Sequence, residues 1–100
     1  ASVMFVDLRS FTRFSEGATG AELAAILGEF REIVSERVFA YGGTIDKFIG
    51  DAVLAVFGAL QTSPDDKSNA LACARAIALR LQQWEKRNIA GGKPALRAGI

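Results

Sequence analysis

One hundred residues, half of them apolar and 23% charged with a net charge of +1, make a single domain with enough apolar mass for a core. That balance excludes global disorder and excludes a nucleic-acid protein working through a basic face. The longest apolar run, Ala52–Leu60, holds nine residues, whereas a membrane span takes about 20, so no membrane contact by this segment is expected.

Ser2–Val6 is apolar and rich in β-formers, and it reads as a buried strand that Asp7 ends. Ser10–Glu16 is short and polar and reads as a helical turn. Thr19 then opens a helix, with Glu22 at the capping-box spacing. Apolar residues from Leu23 to Tyr41 recur at helical spacing on one face, and Gly42-Gly43 stop the helix because glycine takes the left-handed cap without steric cost. Thr44–Ile49 and Ala52–Phe57 are strand-like runs around Gly50-Asp51, which predicts a hairpin with a tight tip. The strand period of two sets Ile45, Lys47 and Ile49 on one face. Ser63-Pro64-Asp65-Asp66 starts a second helix with a cap, a proline at the first helical position and acids at the positive end of the dipole. Ala70, Cys73, Ile77, Leu81 and Trp84 form its apolar stripe. Asn88–Lys93 breaks it, and Ala95–Ile100 is the last strand.

Strand, helix, strand, strand, helix, strand is the order of an α+β, ferredoxin-like βαββαβ plan: a four-stranded antiparallel sheet with two helices on one face. Where the first and third strands of that plan are neighbours, Asp7 and Asp51 meet on one edge of the sheet.

The absence of histidine excludes Ser–His catalysis and imidazole–metal sites. The single cysteine, Cys73, excludes an internal disulfide and a zinc centre, and fits a reducing, cytoplasmic setting. Any metal here is therefore a hard cation on carboxylates. Two carboxylates about 4 Å apart repel by roughly 4 kcal/mol at an effective dielectric of 20, and a divalent cation between them reverses the sign. Asp7 and Asp51 are thus candidate ligands for Mg²⁺ or Mn²⁺, while Asp51 taken alone also suits a plain turn tip. The run Leu8-Arg9-Ser10-Phe11-Thr12 leads into a helical turn whose backbone N–H groups suit a phosphate, although a threonine there also serves as a cap. Lys47, flanked by isoleucines, is either a snorkelling edge residue or a hydrogen-bond donor to a base.

The stretch Phe5-Val6-Asp7-Leu8-Arg9-Ser10-Phe11-Thr12-Arg13-Phe14-Ser15-Glu16 resembles the opening of the class III adenylate/guanylate cyclase catalytic domain. Gly42-Gly43-Thr44-Ile45-Asp46-Lys47-Phe48-Ile49-Gly50-Asp51, continuing to Gly58, is similar to that family's most specific stretch, and Leu96-Arg97-Ala98-Gly99-Ile100 to the start of its next block. The resemblance implies that residues 1–100 are the N-terminal core of such a domain, cut before the part that supplies a second base-reading side chain and transition-state Asn and Arg residues. This segment by itself is then expected to fold marginally and turn over poorly. The resemblance also implies two divalent cations, Mg²⁺ or Mn²⁺, on Asp7, Asp51 and the main-chain carbonyl of Leu8. The triphosphate is held by the backbone at Phe11 and Thr12, with Leu8 and Gly50 beside the substrate. Lys47 reads adenine, since adenine N1 accepts a hydrogen bond where guanine offers donors. The implied reaction closes ATP to cyclic AMP and pyrophosphate, in a homodimer whose active sites lie between two catalytic domains. Three other readings stand beside it: a diguanylate cyclase, a catalytically inactive cyclase-like module that dimerises or binds nucleotide, and a plain ferredoxin-like domain with no ligand.

Overall fold

Alternation in the first nine residues decides which side of the sheet is buried. Met4, Val6 and Leu8 are buried, whereas Val3 and Phe5 are exposed. The computed structural model describes residues 1–9, 17, 19–59, 61–90 and 97–99. In chain order they form β1 (Ser2–Arg9), α1 (Gly20–Ala40), β2 (Thr44–Ile49), β3 (Ala52–Phe57), α2 (Asp66–Ala90) and β4 (Arg97–Gly99). The architecture is α+β, with antiparallel pairing throughout and the strand order β2-β3-β1-β4. The expected turn over Ser10–Glu16, which holds Phe11 and Thr12, lies outside the described residues, as do Ala95, Leu96 and Ile100 of the expected last strand.

Asp7 does not end the first strand. β1 runs on to Arg9 because Asp7 is paired on both sides, opposite Ala52 of β3 and Gly99 of β4. Its alternation with Val3 and Phe5 keeps the carboxylate off the core face, so the strand continues without burying a charge among apolar groups.

The helix boundaries follow local chemistry. At the start of α1, Glu22 N donates to Thr19 Oγ1 at 3.1 Å and Thr19 N to Glu22 Oε1 at 3.3 Å, a complete capping box. At its end, Gly42 N donates to the Phe39 carbonyl and Gly43 N to the Val38 carbonyl. Gly42 has φ +82°, which makes this a Schellman ending. Gly43 is small for a different reason: a Cβ there would lie 2.7 Å from the Phe57 ring. Ahead of α2, Asp65 N donates to Ser63 Oγ at 3.2 Å and Ser63 N to Asp66 Oδ2 at 2.9 Å, so serine and aspartate cap each other. α2 extends to Ala90, past the break expected at Asn88. A single Asn costs only about half a kcal/mol in a helix, too little to stop one whose earlier turns are packed through Cys73, Ile77, Leu81 and Trp84.

Both helices contribute to one core with the sheet. Met4, Val6 and Leu8 of β1 and Val53, Ala55 and Phe57 of β3 meet the apolar stripes of α1 and α2. Phe30 and Trp84 join the two helices, ring centroids 6.4 Å apart and tilted by 35°. Among the described residues no helix is long and apolar enough to cross a membrane.

One register detail departs from simple alternation. The β2–β3 pairing shifts between Ile45 and Lys47, with Ile45 opposite Ala55 and Lys47 opposite Leu54. The extra residue, Asp46, is a bulge that separates two side chains expected on one face. Ile45 packs against the core, and Lys47 takes the other side, in the cross-strand row of Leu54 and Phe5.

Candidate active site

The hairpin tip and the C-terminal end of β1 meet because β1 and β3 are neighbours. Asp7 stands opposite Ala52, the residue that follows Asp51. The amide of Leu8 donates to the carbonyl of Asp51 at 3.1 Å. The peptide that follows Asp7 is thereby bonded to the peptide that follows Asp51. Both aspartates are half-buried. Among the described residues neither has a cationic partner.

Gly50 lets the chain turn at the tip, with φ +55°, a conformation that costs an L side chain energy. The tip is also held from α1. Arg31 Nη2 donates to the Gly50 carbonyl at 2.8 Å, and the guanidinium carbon lies 4.7 Å from the centroid of the Phe48 ring. Nothing in the sequence marks Arg31, which reads as one more polar residue on an amphipathic helix. Its role comes from tertiary packing.

The structure therefore brings Asp7, Leu8, Gly50 and Asp51 together. Lys47 stands apart from them, on the outermost strand. It is two strands from Asp7, about 10 Å across the sheet, and its Nζ lies 3.7 Å from Asp46 Oδ2 with both side chains exposed. The face that carries Asp7 also exposes Val3, Phe5 and Ile49. Phe11 and Thr12 lie outside the described residues.

Among the described residues no three His, Cys, Asp or Glu side chains gather as a metal site. What Asp7, Asp51 and the Leu8 main chain offer is two carboxylates without a cationic partner among the described residues and one neighbouring carbonyl. That all-oxygen donor set fits Mg²⁺ or Mn²⁺ and does not fit a thiophilic or imidazole-seeking metal.

The family model described as the adenylate and guanylate cyclase catalytic domain matches residues 1–100. Adenylate cyclase 1 of Rhizobium meliloti (strain 1021) is 36% identical over 96 residues, which are 96% of this chain and 14% of that protein. Among solved structures, the guanylyl cyclase Cya2 superposes with a TM-score of 0.89 at 33% identity, over 97% of this chain and 49% of that one. The adenylyl cyclase CyaB from P. aeruginosa gives 0.88 at 32% identity, over 98% and 53%. The chain thus spans about half of each solved chain and a much smaller share of the curated relative.

Proposed function

The chain belongs to the adenylate and guanylate cyclase catalytic domain family, and on that footing we propose that it is the N-terminal core of a catalytic domain that converts ATP to 3′,5′-cyclic AMP and pyrophosphate. The observation that carries this reading is the approach of Asp7 and Asp51 in the backbone, where the Leu8 amide bonds to the Asp51 carbonyl, with neither aspartate having a cationic partner among the described residues. Two carboxylates held close together on one sheet edge repel, and a divalent cation between them reverses the sign. The strand order β2-β3-β1-β4 supports the ferredoxin-like plan that sets the two aspartates on one edge.

Asp7, Asp51 and the Leu8 carbonyl would hold two Mg²⁺ or Mn²⁺ ions. Bound there, divalent cations supply charge neutralisation at the phosphates and a lowered pKa for the ribose 3′ hydroxyl. The 3′ oxygen bonds to the α-phosphorus, the bond from that phosphorus to the bridging oxygen breaks, pyrophosphate leaves and the 3′ proton is lost. The chain's own task is to hold these groups in line, which is where most of the acceleration in such transfers arises. The backbone at Phe11 and Thr12 would hold the triphosphate, with Gly50 keeping the tip clear of side-chain bulk beside it.

Lys47 donates to adenine N1 in this account, and it does so across a homodimer. Its distance from Asp7 supports a role at the partner's site, and its exposed pairing with Asp46 is too weak to hold it back. The exposed Val3, Phe5 and Ile49 beside Asp7 support a second catalytic domain against that face.

The test is product identification. The full-length protein is supplied with Mn²⁺ and either ATP or GTP, and products are resolved by chromatography and mass spectrometry. Cyclic AMP from ATP is the expected result. Cyclic GMP in excess would overturn the base assignment. No cyclic product from a folded dimer would leave a catalytically inactive cyclase-like module.

A further inference from the structure

We infer that Arg31 is a positioning residue for the metal-binding carboxylate of Asp51, acting through the Gly50–Asp51 peptide. The inference rests on the cyclase reading and adds a residue of α1 to its machinery. The Gly50 carbonyl, to which Arg31 Nη2 donates at 2.8 Å, belongs to the same planar peptide as the Asp51 amide. Fixing that plane fixes the approach to Asp51 from its N-terminal side. The Leu8 amide fixes the peptide on its C-terminal side, through the Asp51 carbonyl at 3.1 Å. Asp51 is therefore clamped at both flanking peptides, once from β1 and once from α1. Its Cα–Cβ direction is set before any cation binds.

The anchor is itself held. The guanidinium lies over Phe48 at 4.7 Å, so the ring of β2 orients the fork that reaches the tip. Arg31 Nε is buried without a hydrogen-bond partner, which costs stability. A side chain that spends a buried donor in this way is a poor general stabiliser. What its one short bond secures is the turn with φ +55° at Gly50, next to the carboxylate that needs a defined direction.

The experiment compares wild-type full-length protein with Arg31→Met, which keeps an apolar stem and loses the donor, and with Arg31→Lys, which keeps the charge and one donor geometry. Mn²⁺ binding is read by electron paramagnetic resonance in the presence of a non-reacting ATP analogue. Cyclisation kinetics and melting temperature are read on the same samples. Arg31→Met is expected to weaken Mn²⁺ binding roughly tenfold, with Arg31→Lys between it and the wild type. The turnover defect is expected to shrink as Mn²⁺ is raised, with the nucleotide KM at saturating metal unchanged. Wild-type Mn²⁺ affinity in folded Arg31→Met would overturn the inference and leave the cyclase reading standing. A wild type that binds no Mn²⁺ would overturn both. Should Arg31→Met lose its fold, Arg31→Gln decides by the same criterion.

Discussion

The amide of Leu8 and the carbonyl of Asp51 are bonded at 3.1 Å, and this ties the neighbour of one candidate metal ligand to the backbone of the other. The bond lies at the end of the β1–β3 ladder, one position beyond the Asp7–Ala52 pair. The hairpin tip is thereby an extension of the sheet, and both aspartates move with a rigid element. This is the support that a metal site needs from its scaffold.

An unpaired carboxylate couple has a stability signature. The proposed cation site sets the Asp7 and Asp51 carboxylates against each other whenever no cation is bound, so Asp51→Asn is expected to hold or raise stability, by up to about 1 kcal/mol in a partly solvated setting. Thermal melts in chelator measure it. Adding Mn²⁺ should raise the melting temperature of the wild type more than that of the variant. A variant that melts well below the wild type in chelator would show that Asp51 serves the fold and not a cation.

In the proposed site, Lys47 is the residue that reads the base. Lys47→Glu replaces a donor by an acceptor where the base would sit, and is expected to move the ATP:GTP preference toward GTP by roughly tenfold or more. Competition kinetics with both nucleotides gives that ratio directly. An unchanged ratio would remove Lys47 from the base site.

Two glycines of the same helix region should respond in opposite directions. Gly43→Ala places a methyl 2.7–3.0 Å from atoms of the Phe57 ring and is expected to cost about 1–3 kcal/mol. Gly28 lies inside α1 with open space around its Cα, so Gly28→Ala is expected to gain about 0.5–1 kcal/mol. Denaturant midpoints of the two variants provide the comparison.

Cys73, on the core face of α2, is buried, and burial pushes its thiol from 9.0 up to about 11 against the opposing Arg37 charge. Iodoacetamide at pH 8 is therefore expected to label it slowly in the native protein and fast in denaturant. The unfolded chain loses this proton near pH 9 and the folded chain only near pH 11. The associated stability is intact below pH 9 and declines by about 2–3 kcal/mol between those values. Cys73→Ala should flatten that decline in alkaline melts.

Much of this was legible in the residues. Thr19 and Glu22 announce a capping box, Gly42-Gly43 a helix end, and Ser63-Pro64-Asp65-Asp66 a helix start, because each is a local hydrogen-bonding pattern. The hairpin bounds followed from β-rich runs around Gly50-Asp51. The misses have a common physical cause in pairing between distant segments. The bulge at Asp46 is set by the partner strand, so the alternation of β2 alone wrongly grouped Ile45 with Lys47. β1 continues through Asp7 because two neighbours pair with it there, and Arg31 reaches the tip across 19 positions of sequence.

The central claim is that Asp7 and Asp51 together serve cyclisation of ATP through bound cations. The most direct measurement is the rate of cyclic AMP formation from ATP and Mn²⁺ by the full-length protein, beside Asp7→Asn and Asp51→Asn. The account predicts product from the wild type and a fall of roughly 100-fold or more in each variant, with both variants folded. An undiminished rate in either folded variant, or no cyclic AMP from the wild type, would contradict it.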